Sequence, residues 1–549
     1  MPGEDVGADL SGLESSVGTM TSSAVPWWRE AVVYEVYVRS FADSDGDGLG
    51  DLEGIRSKLG YLRDLGVDAV WITPFYPSPQ RDHGYDVADY CDVDPLFGDL
   101  ADFDRLLADA HGLGLRVIVD VVPNHTSSEH PWFQAALGEQ ASAERARYWF
   151  RDGRGADGDE PPNNWQSVFG GPAWTRDEGS RQWYLHMFDS SQPDLDWGNR
   201  EVHEEFLRIL RFWLDRGVDG FRIDVAHSLY VRADLADEPV AVGAKGLHDD
   251  DHRHIWDQDE VLAVYEEWRQ VLDAYAGDRM LVGEVFLFDV PRVAQYVGPT
   301  RLHQAFNFTV FKAQWDPAQL RRVLLDALAG FDPGTWVLSN HDLTRHVTRY
   351  GGGDLGRRRG LAVSGLVFAL PGSPYLYQGE ELGLDETDVP DHLREDPVFL
   401  RTAGVMAGRD GCRTPLPWEA AAPGYGFTDG TPWLPFGPDA SAQAVDRQES
   451  DPDSVLSTYR RLLARRRALL PVLGDALAWL EAPDEVLAVR RGPLVAVLNT
   501  AAEPVELVVD DATQLLEATA PGAALVGRVV TVPAAATVWV LVGAAVGGL

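Results

Sequence analysis

The sequence predicts an α/β protein built on a largely parallel β-sheet, followed by a smaller antiparallel β domain. From Trp27 to about Pro471, short β-branched runs alternate with amphipathic helical stretches. Such alternation connects parallel strands through crossover helices, in a doubly wound sheet or a closed barrel. The predicted strands are largely apolar, which is typical of strands covered on both faces. After Pro471 the β-branched runs are separated only by turn residues, which indicates antiparallel strands.

The individual elements follow from these periodicities in chain order. Strands are predicted over residues 31–38, 67–73, 115–122, 218–225, 280–285, 335–338 and 374–377. Helices are predicted between them over residues 52–65, 100–112, 202–216, 260–276 and 318–329. The C-terminal strands are predicted over residues 486–489, 494–498, 505–509, 526–532 and 538–542.

Composition divides the chain into four parts. Residues 1–24 are rich in Gly, Ser and Asp without periodicity, and we expect a disordered leader. The α/β unit takes residues 25–125 and 198–470. Residues 126–197 are polar, rich in Trp, Gly, Pro and Asn, and too long for a simple connection, so we expect an inserted subdomain. Residues 471–549 are predicted to be the C-terminal β domain.

The charge of the chain argues against two classes of partner. Among 549 residues, 86 are acidic and 47 basic, which gives a net charge of −39 at pH 7. Nucleic acids and anionic membranes would repel such a protein. Two cysteines cannot build a disulfide framework, and the first residues lack the basic and apolar runs of a signal peptide. We therefore expect a soluble, cytoplasmic protein with no nucleic-acid or membrane partner.

Polar residues cluster directly after four predicted strands. The segments are DVVPNH (120–125), GFRID (220–224), GEV (283–285) and SNHD (339–342). Any one of them alone could supply a capping acid at a strand-to-helix turn. In a closed barrel, however, the C-terminal strand ends converge on one site. Carboxylates that share a site need separate pKa values, and these separate values assign them different tasks.

These segments, in this order, resemble the four signature regions of glycoside hydrolase family 13, the α-amylase family. GVDAVWITP (66–74) and QPDLD (192–196) match two further regions, and the resemblance runs from Trp28 to about Trp418. It implies a (β/α)8 TIM barrel with a domain B inserted after the third strand and a C-terminal antiparallel β domain. It also implies retaining cleavage of α-glucosidic bonds.

The resemblance assigns roles to single residues. The implied catalytic residues are the nucleophile Asp224, the general acid/base Glu284 and the transition-state stabiliser Asp342. A retaining glycosidase needs an attacking carboxylate and a protonated acid about 5–5.5 Å apart. Arg222 lies two residues before the nucleophile, on the same strand face, and would keep it ionised. His125 and His341 match histidines that hydrogen-bond the bound sugar ring.

A further set of residues is implied at the end of the pocket that holds the non-reducing glucose, the glycone. The segment DHGYD, beginning at Asp82, resembles the α-glucosidase and oligo-1,6-glucosidase branch. There the first Asp and an Arg from a late loop hold the glycone hydroxyls. Arg409 matches that arginine and Arg413 is the less favoured choice; a surface ion pair is the alternative for Asp82 and Arg409. Tyr85 would stack on the glycone, and Phe169 would line the pocket from domain B.

One acidic loop is a candidate metal site. Asp43, Asp45, Asp47 and Asp51 place oxygen ligands at alternate positions, as calcium loops do. The loop lacks the bidentate Glu of an EF-hand. The resembling glucosidases bind Ca²⁺ here through the acids and a backbone carbonyl, which is that of Leu49 in this chain. We expect a structural Ca²⁺ and no organic cofactor; an acidic surface turn without an ion is the alternative.

The resemblance predicts a retaining, exo-acting α-glucosidase that releases α-glucose from short α-glucosides and is able to transglucosylate. Val225, directly after the nucleophile, is typical of α-1,6 enzymes in this branch, whereas Ala226, His227, Ser228 and Asp196 depart from their pattern. We therefore expect a preference for α-1,4 bonds, with an oligo-1,6-glucosidase as the alternative.

Two further alternatives are less favoured. A sucrose-converting transglucosylase would carry an RLDRD-type loop, which this chain lacks. A trehalose-converting one would carry a Pro-Arg pair in the segment FNFTVFKAQWD (306–316), which has none. A non-catalytic amylase-like subunit would lose at least one of the three acids, and all are present. The expected substrate is a small oligosaccharide or glucoside, and the expected assembly is a monomer or homodimer.

Overall fold

The structure is a computed structural model that describes residues 25–138, 143–238, 255–332 and 334–543. The predicted leader, residues 1–24, therefore lies outside the described residues. Throughout the described part of the chain, no helix combines the length and the apolar character needed to cross a membrane.

Eight parallel strands form the central sheet. In chain order they are β1 (Val33–Val36), β2 (Ala69–Ile72), β3 (Arg116–Val121), β4 (Gly220–Ile223), β5 (Met280–Gly283), β6 (Gln304–Ala305), β7 (Thr335–Val337) and β8 (Ser373–Tyr377). Consecutive strands pair from β1 to β6, β7 pairs with β8, and β8 pairs with β1. Between β6 and β7 the Thr335 hydroxyl donates to the Ala305 carbonyl at 2.6 Å. The predicted (β/α)8 barrel is therefore confirmed.

The strands are buried along almost their whole length because helices cover the outside of the barrel. The main covering helices are Leu52–Ser57, Leu59–Leu65, Leu100–Gly112, Arg200–Arg216, Val261–Asp273, Pro317–Gly330, Gly353–Val367 and Val455–Leu473. Short helices such as Val290–Val293 lie between them. Inside the barrel the space is tight: a Cβ on Gly220 would lie 2.7 Å from the Met280 carbonyl oxygen.

Two predicted elements differ from the structure, and one strand of the barrel was not predicted. The helix predicted over residues 52–65 is two helices that meet at Lys58. Just before this point the Ser57 hydroxyl donates a hydrogen bond to the Gly54 carbonyl. The strand predicted over residues 526–532 is a hairpin that turns at Gly527, whose φ is +63°. Strand β6 was not predicted because two residues are too few to show a periodicity.

Between β3 and the helix Arg200–Arg216 the chain forms a small separate layer. Its three antiparallel strands are Phe150–Arg151, Trp183–Leu185 and Trp174–Arg176. Buried aromatic side chains, including those of Trp165 and Trp174, form its core. This layer lies within residues 126–197, the range predicted for domain B; the exact domain bounds stay a prediction.

The C-terminal part is antiparallel, as predicted. One sheet pairs the strands Leu477–Trp479, Val486–Arg491, Leu494–Asn499, Ala536–Val542 and Ala512–Ala518, and a second pairs Val505–Val508, Val529–Val532 and Ala524–Val526. The sheet packs on the helix Gly353–Val367, where the Trp539 indole donates to the Gly365 carbonyl at 2.8 Å. These contacts lie away from the strand ends that carry the predicted catalytic residues.

Candidate active site

Arg222 lies at the centre of the barrel mouth and contacts three carboxyl groups. Asp120 of β3 is its register partner across the sheet, so the two side chains start at the same level. One terminal nitrogen, Nη1, donates to Asp224 Oδ1 at 2.7 Å and to Asp120 Oδ1 at 3.0 Å. The other, Nη2, lies 2.7 Å from Glu284 Oε2 without the alignment of a hydrogen bond. The predicted nucleophile and the predicted acid/base therefore share one guanidinium.

Burial and charge separate the tasks that these carboxyl groups can perform. Burial raises the pKa of both Asp224 and Glu284, whereas Arg222 lowers both. The charge of Glu284 also raises the pKa of Asp224, and the charge of Asp342 raises that of Glu284, so these carboxyl groups together retain a proton more readily than one would alone. Asp224 makes the aligned hydrogen bond to Arg222, so it is the better placed of the two to stay ionised. Glu284 is then the better placed to keep the proton.

The backbone after the predicted nucleophile is strained. Val225 has a φ of +41°, a left-handed conformation that β-branched residues rarely adopt and that costs about 1–3 kcal/mol. Its N–H donates to Glu284 Oε2 at 3.0 Å, and the N–H of Ala226 donates to the Glu284 carbonyl at 2.8 Å. This turn ties the loop after β4 to the loop after β5 and holds Asp224 beside Glu284.

Asp342, the predicted stabiliser, lies among positively charged and hydrogen-bonding groups. Its Oδ1 accepts from Arg413 Nη2 at 2.9 Å and from Arg409 Nη1 at 3.1 Å, and its Oδ2 lies 3.2 Å from His341 Nε2. Burial raises the pKa of Asp342, but His341 and the two guanidinium groups outweigh burial and hold it well below its ordinary value. Asp342 is therefore a carboxylate across the neutral pH range.

Arg409 connects Asp342 to Asp82. Its Nη2 donates to Asp82 Oδ1 at 2.6 Å, and its Nε donates to the buried Asp396 at 2.6 Å. The guanidinium also lies over the Phe169 ring, 4.9 Å from its centroid. Both arginines weighed in the sequence contact Asp342, but among the described residues the ion pair to Asp82 is made by Arg409. The pair is buried rather than a surface contact.

Asp82 is tied to His125 through a glutamine. Gln192 Nε2 donates to Asp82 Oδ2 at 3.0 Å and lies 3.1 Å from His125 Nε2. Burial lowers the pKa of His125 to about 4, so its imidazole is neutral at pH 7. A neutral imidazole can both donate and accept, which suits it to sugar hydroxyls.

Tyr85 forms another part of the pocket lining. Its hydroxyl donates to Asp120 Oδ2 at 3.1 Å, and its ring stacks on that of His341 at 5.2 Å between centroids. The ring lines the pocket, as predicted for a residue that contacts the glycone, and its hydroxyl is occupied by the protein.

All the catalytic candidates and all but one of the predicted substrate-binding residues line one cavity of about 800 Å³, its open mouth included. The lining residues are Asp82, Tyr85, His125, Val168, Phe169, Phe188, Asp224, Val225, His227, Trp256, Glu284, Phe286, Leu287, His341, Asp342 and Arg409. Arg222 lies beneath this lining and acts on it through its carboxyl partners. Polar groups and apolar side chains that converge in one concave pocket are typical of a small-ligand site.

Three of the four acids of the predicted metal site lie close together. Carboxylate oxygens of Asp43, Asp45 and Asp51 lie within 4.8 Å of one another. Asp47 lies outside this group, and its carboxylate accepts from the Leu49 N–H at 2.8 Å. These three carboxylates are hard oxygen ligands, which suit Ca²⁺ better than they suit softer metals.

Among the residues that were not predicted, three are polar and contact predicted side chains of the site. Gln192 lies inside the recognised segment QPDLD, so its motif was a usable signal. Glu35 is an acid within an otherwise apolar strand, and a buried charge of this kind is itself a signal. Asp396 precedes Pro397 at the start of a short helix, a pattern that indicates a helix cap and gives no hint of Arg409.

The fold and the site define a barrel glycosidase with several carboxyl groups at its C-terminal mouth. The family model described as "Alpha amylase, catalytic domain" matches residues 35–473. The chain therefore belongs to the α-amylase family, and the predicted membership is confirmed.

Similar proteins place the chain in the glucosidase branch. It is 41% identical over 485 residues to a probable α-glucosidase of Rhizobium meliloti (strain 1021), covering 85% of this chain and 87% of that protein. It is 36% identical over 479 residues to the oligo-1,6-glucosidase of Parageobacillus thermoglucosidasius, covering 80% and 84%. The crystal structure of the α-glucosyl transfer enzyme XgtA superposes with a TM-score of 0.87 at 40% identity, covering 94% of this chain and all of XgtA.

Proposed function

We propose that the protein is a retaining, exo-acting α-glucosidase that releases α-glucose from the non-reducing end of short α-glucosides. The observation that carries the proposal is the buried Asp82–Arg409 ion pair, which lies directly beside Asp342 in the pocket of Asp224 and Glu284. Asp82 and Arg409 form a clamp, because an acid and a guanidinium in this place can hold the hydroxyls of one terminal glucose. They also occupy the space that another sugar would need.

The first half of the reaction is assigned to Asp224 and Glu284. A carboxylate oxygen of Asp224 attacks C1 of the glycone while the bond from C1 to the leaving sugar breaks. Glu284 gives its proton to the leaving oxygen, and a glucosyl ester of Asp224 results. Both groups contact one guanidinium of Arg222, which supports their acting on the same bond.

The second half restores the enzyme. A water molecule transfers a proton to the Glu284 carboxylate as its oxygen attacks C1, and the ester bond to Asp224 breaks. Two inversions at C1 return the α configuration of the substrate. Asp342, held as a carboxylate by its arginines, stabilises the positive charge that develops on the sugar ring in both transition states.

The remaining predicted residues would orient the glycone. His125 and His341 lie on the pocket wall as groups whose pKa burial lowers, so they are available as neutral hydrogen-bonding partners. Tyr85 offers the sugar a ring face. Arg222 would keep Asp224 ionised for the attack.

The preferred bond is proposed to be α-1,4, with measurable α-1,6 cleavage. Val225 lies in the pocket beside the predicted nucleophile, where it meets the aglycone, the group on the leaving side. An apolar side chain that differs from its counterpart by one methyl group changes specificity by about 1–3 kcal/mol. Val225 can therefore bias the bond that is cleaved without excluding the other. An oligo-1,6-glucosidase is the second candidate, supported by the bacterial relative of that name.

Transfer of glucose to acceptors other than water fits the same pocket. Aromatic rings continue from Phe169, beside Arg409, to the segment after β4. Phe169 contacts Phe188 at 5.4 Å, Phe188 stacks on Trp256 at 6.0 Å, and Trp256 meets His227 at 5.3 Å between centroids. An apolar wall binds the face of an acceptor and disfavours ordered water. The similarity to a glucosyl transfer enzyme supports this activity.

A structural Ca²⁺ is proposed at the loop after β1. Asp43, Asp45 and Asp51 would supply its carboxylate ligands, and Asp47 and the Leu49 carbonyl would complete the set after a small rearrangement of the loop. The ion would hold the first βα connection and would take no part in bond cleavage.

The proposal is tested by product analysis on maltose, isomaltose, sucrose, trehalose and soluble starch. We expect the highest kcat/KM with maltose, a lower value with isomaltose, and slow release of glucose alone from starch. A higher kcat/KM with isomaltose than with maltose would replace the α-1,4 preference with the oligo-1,6-glucosidase alternative. Rapid release of long maltodextrins from starch would contradict the exo mode.

A further inference from the structure

Glu35 is a buried carboxyl group that lies beneath the pocket without a cationic partner. It occupies β1 in register with Trp71 of β2 and Tyr377 of β8, with 1% of its surface exposed. Among the described residues, no lysine or arginine nitrogen lies within 4 Å of its carboxyl oxygens, and its one close cationic candidate is the imidazole of His341. The other carboxyl groups of the site each contact an arginine.

Packing holds the imidazole ring of His341 in one orientation, so the open question is which of its two nitrogens carries a proton. Its ring stacks on Tyr85 at 5.2 Å and on Tyr37 at 5.7 Å between centroids. Its Nδ1 lies 2.5 Å from Glu35 Oε1, and its Nε2 lies 3.2 Å from Asp342 Oδ2. Two carboxyl groups therefore face the two nitrogens of one imidazole, one on each side.

The charge of Asp342 indicates which atoms of His341 and Glu35 carry protons. Asp342 is a carboxylate whose Oδ2 lies 3.2 Å from Nε2, so its negative charge favours a proton on Nε2. If Nδ1 also carried a proton, the ring would be a buried cation. If it does not, Nδ1 is an acceptor and Glu35 must be the donor across the 2.5 Å contact.

The surroundings favour the neutral arrangement. The groups that face Glu35 are Tyr377 from β8, Asp120 from β3, Arg222 from β4, and His341 and Asp342 after β7. Burial and the two neighbouring aspartates raise the pKa of Glu35, and they outweigh the distant Arg222 and the backbone N–H of His341. Burial also lowers the pKa of His341 well below its ordinary value.

We propose that Glu35 is a positioning residue: as a neutral acid it donates a hydrogen bond to Nδ1 of His341 and thereby fixes the tautomer whose Nε2–H faces Asp342 and the glycone. The inference rests on the proposed function for the identity of the glycone. Its central claim, the protonated state of Glu35, is independent of which glucoside is cleaved.

The direct test is infrared difference spectroscopy of the wild type against Glu35→Gln at pH 7, with no substrate present. We expect the variant to lose the carbonyl band of a protonated carboxylic acid. Glu380→Gln is a matched control, because Glu380 is another buried acid, outside the pocket, whose pKa burial raises to about 8. Loss of a carboxylate band from Glu35→Gln, with no loss of an acid band, would overturn the proposal.

Kinetics test the consequence for substrate binding. The side-chain amide introduced by Glu35→Gln can still donate to Nδ1, so this variant should keep kcat/KM for maltose within about threefold. Glu35→Met removes the donor at similar volume and should lower kcat/KM by about 10- to 100-fold, with melting measured to show that the variant is folded. Equal activity of folded Glu35→Met and wild type would contradict the positioning role. Should Glu35→Met fail to fold, a large loss of kcat/KM in Glu35→Gln would contradict it instead. The infrared result stands even if the protein proves not to cleave maltose.

Discussion

Asp396 anchors Arg409 from the side that faces away from the pocket. Both the side-chain Nε–H and the backbone N–H of Arg409 donate to the same oxygen of Asp396, at 2.6 and 3.1 Å. The two terminal nitrogens are left to meet Asp82 and Asp342. All three nitrogens of one guanidinium thus face three different acids, and this arrangement fixes the clamp before any sugar enters.

Asp396→Asn should weaken the clamp without removing it. The amide keeps one acceptor but loses the charge, so the guanidinium is less firmly fixed between Asp82 and Asp342. We expect kcat/KM for maltose to fall about 10-fold or more, mainly through a higher KM, because one charge-assisted hydrogen bond contributes about 1.5–3 kcal/mol. Asp388→Asn, an exposed acid of the same segment, is the control and should leave both constants unchanged. Equal constants for both variants and wild type would show that Asp396 has no part in the clamp.

Asp224→Asn and Glu284→Gln should each abolish maltose hydrolysis while the protein stays folded. Their effects should not add in the double variant, because both groups act on one bond-breaking event. An aryl α-glucoside with a good leaving group should partly restore the rate of Glu284→Gln, since its departure needs little protonation. It should not restore Asp224→Asn. Substantial maltose turnover by Asp224→Asn would reject its assignment as the nucleophile.

Removal of Ca²⁺ should lower the melting temperature with only an indirect effect on activity at low temperature. Binding to the folded state alone stabilises it by about 2.7 kcal/mol at a ligand concentration 100 times Kd. The loop lies after β1, outside the lining of the pocket. Asp45→Asn should reduce the calcium-dependent shift. Asp89→Asn, at an exposed acid outside the acidic group of the loop, is the control and should leave the shift intact. The site is rejected if chelation leaves the melting curve unchanged and metal analysis finds no ion.

Asp194 should make the folded protein less stable as the pH rises. Its Oδ2 is buried without a partner among the described residues, and burial raises its pKa to about 8, above the value of about 3.9 in an unfolded chain. At any pH between these two pKa values, the folded state binds one proton more than the unfolded state. The free energy of unfolding therefore falls by about 1.4 kcal/mol per pH unit on this account, and the loss levels off above pH 8.

Denaturant unfolding of wild type and Asp194→Asn between pH 5 and 7 measures this contribution. The asparagine cannot titrate, so the variant should gain stability relative to the wild type as the pH rises. Asp157→Asn, at an exposed acid, should follow the wild type. Parallel pH dependences for wild type and Asp194→Asn would show that Asp194 is ionised in the folded protein.

Much of the site could be predicted from sequence because its residues follow apolar strands. A strand period that ends in Asp, Glu or His marks the mouth of a barrel, and the segments of Asp224, Glu284 and Asp342 were located in this way. Their individual roles came from the family resemblance. Most strand predictions held for the same reason. The segment predicted as one strand over residues 526–532 is a hairpin, and some strands, among them β6 and Ala512–Ala518, were not predicted.

The contacts between loops could not be predicted. Asp396 belongs to the long, mostly irregular stretch that follows β8, where no periodicity indicates which side chain meets which. The role of Glu35 depends on a neighbour that is distant in sequence, His341, and on the arginines that bind the other acids instead. Such relationships are decided by the tertiary packing of several strand ends at once.

The central claim, a retaining exo cleavage at the non-reducing end, is tested most directly by proton NMR of the hydrolysis of 4-nitrophenyl α-maltotrioside. Its reducing end is blocked, so every new anomeric signal arises from cleavage. We expect α-glucose as the first sugar to appear, together with 4-nitrophenyl α-maltoside, before mutarotation produces the β anomer. Initial release of β-glucose would contradict the retaining mechanism, and initial release of maltose or maltotriose would contradict the single-glucose clamp formed by Asp82 and Arg409.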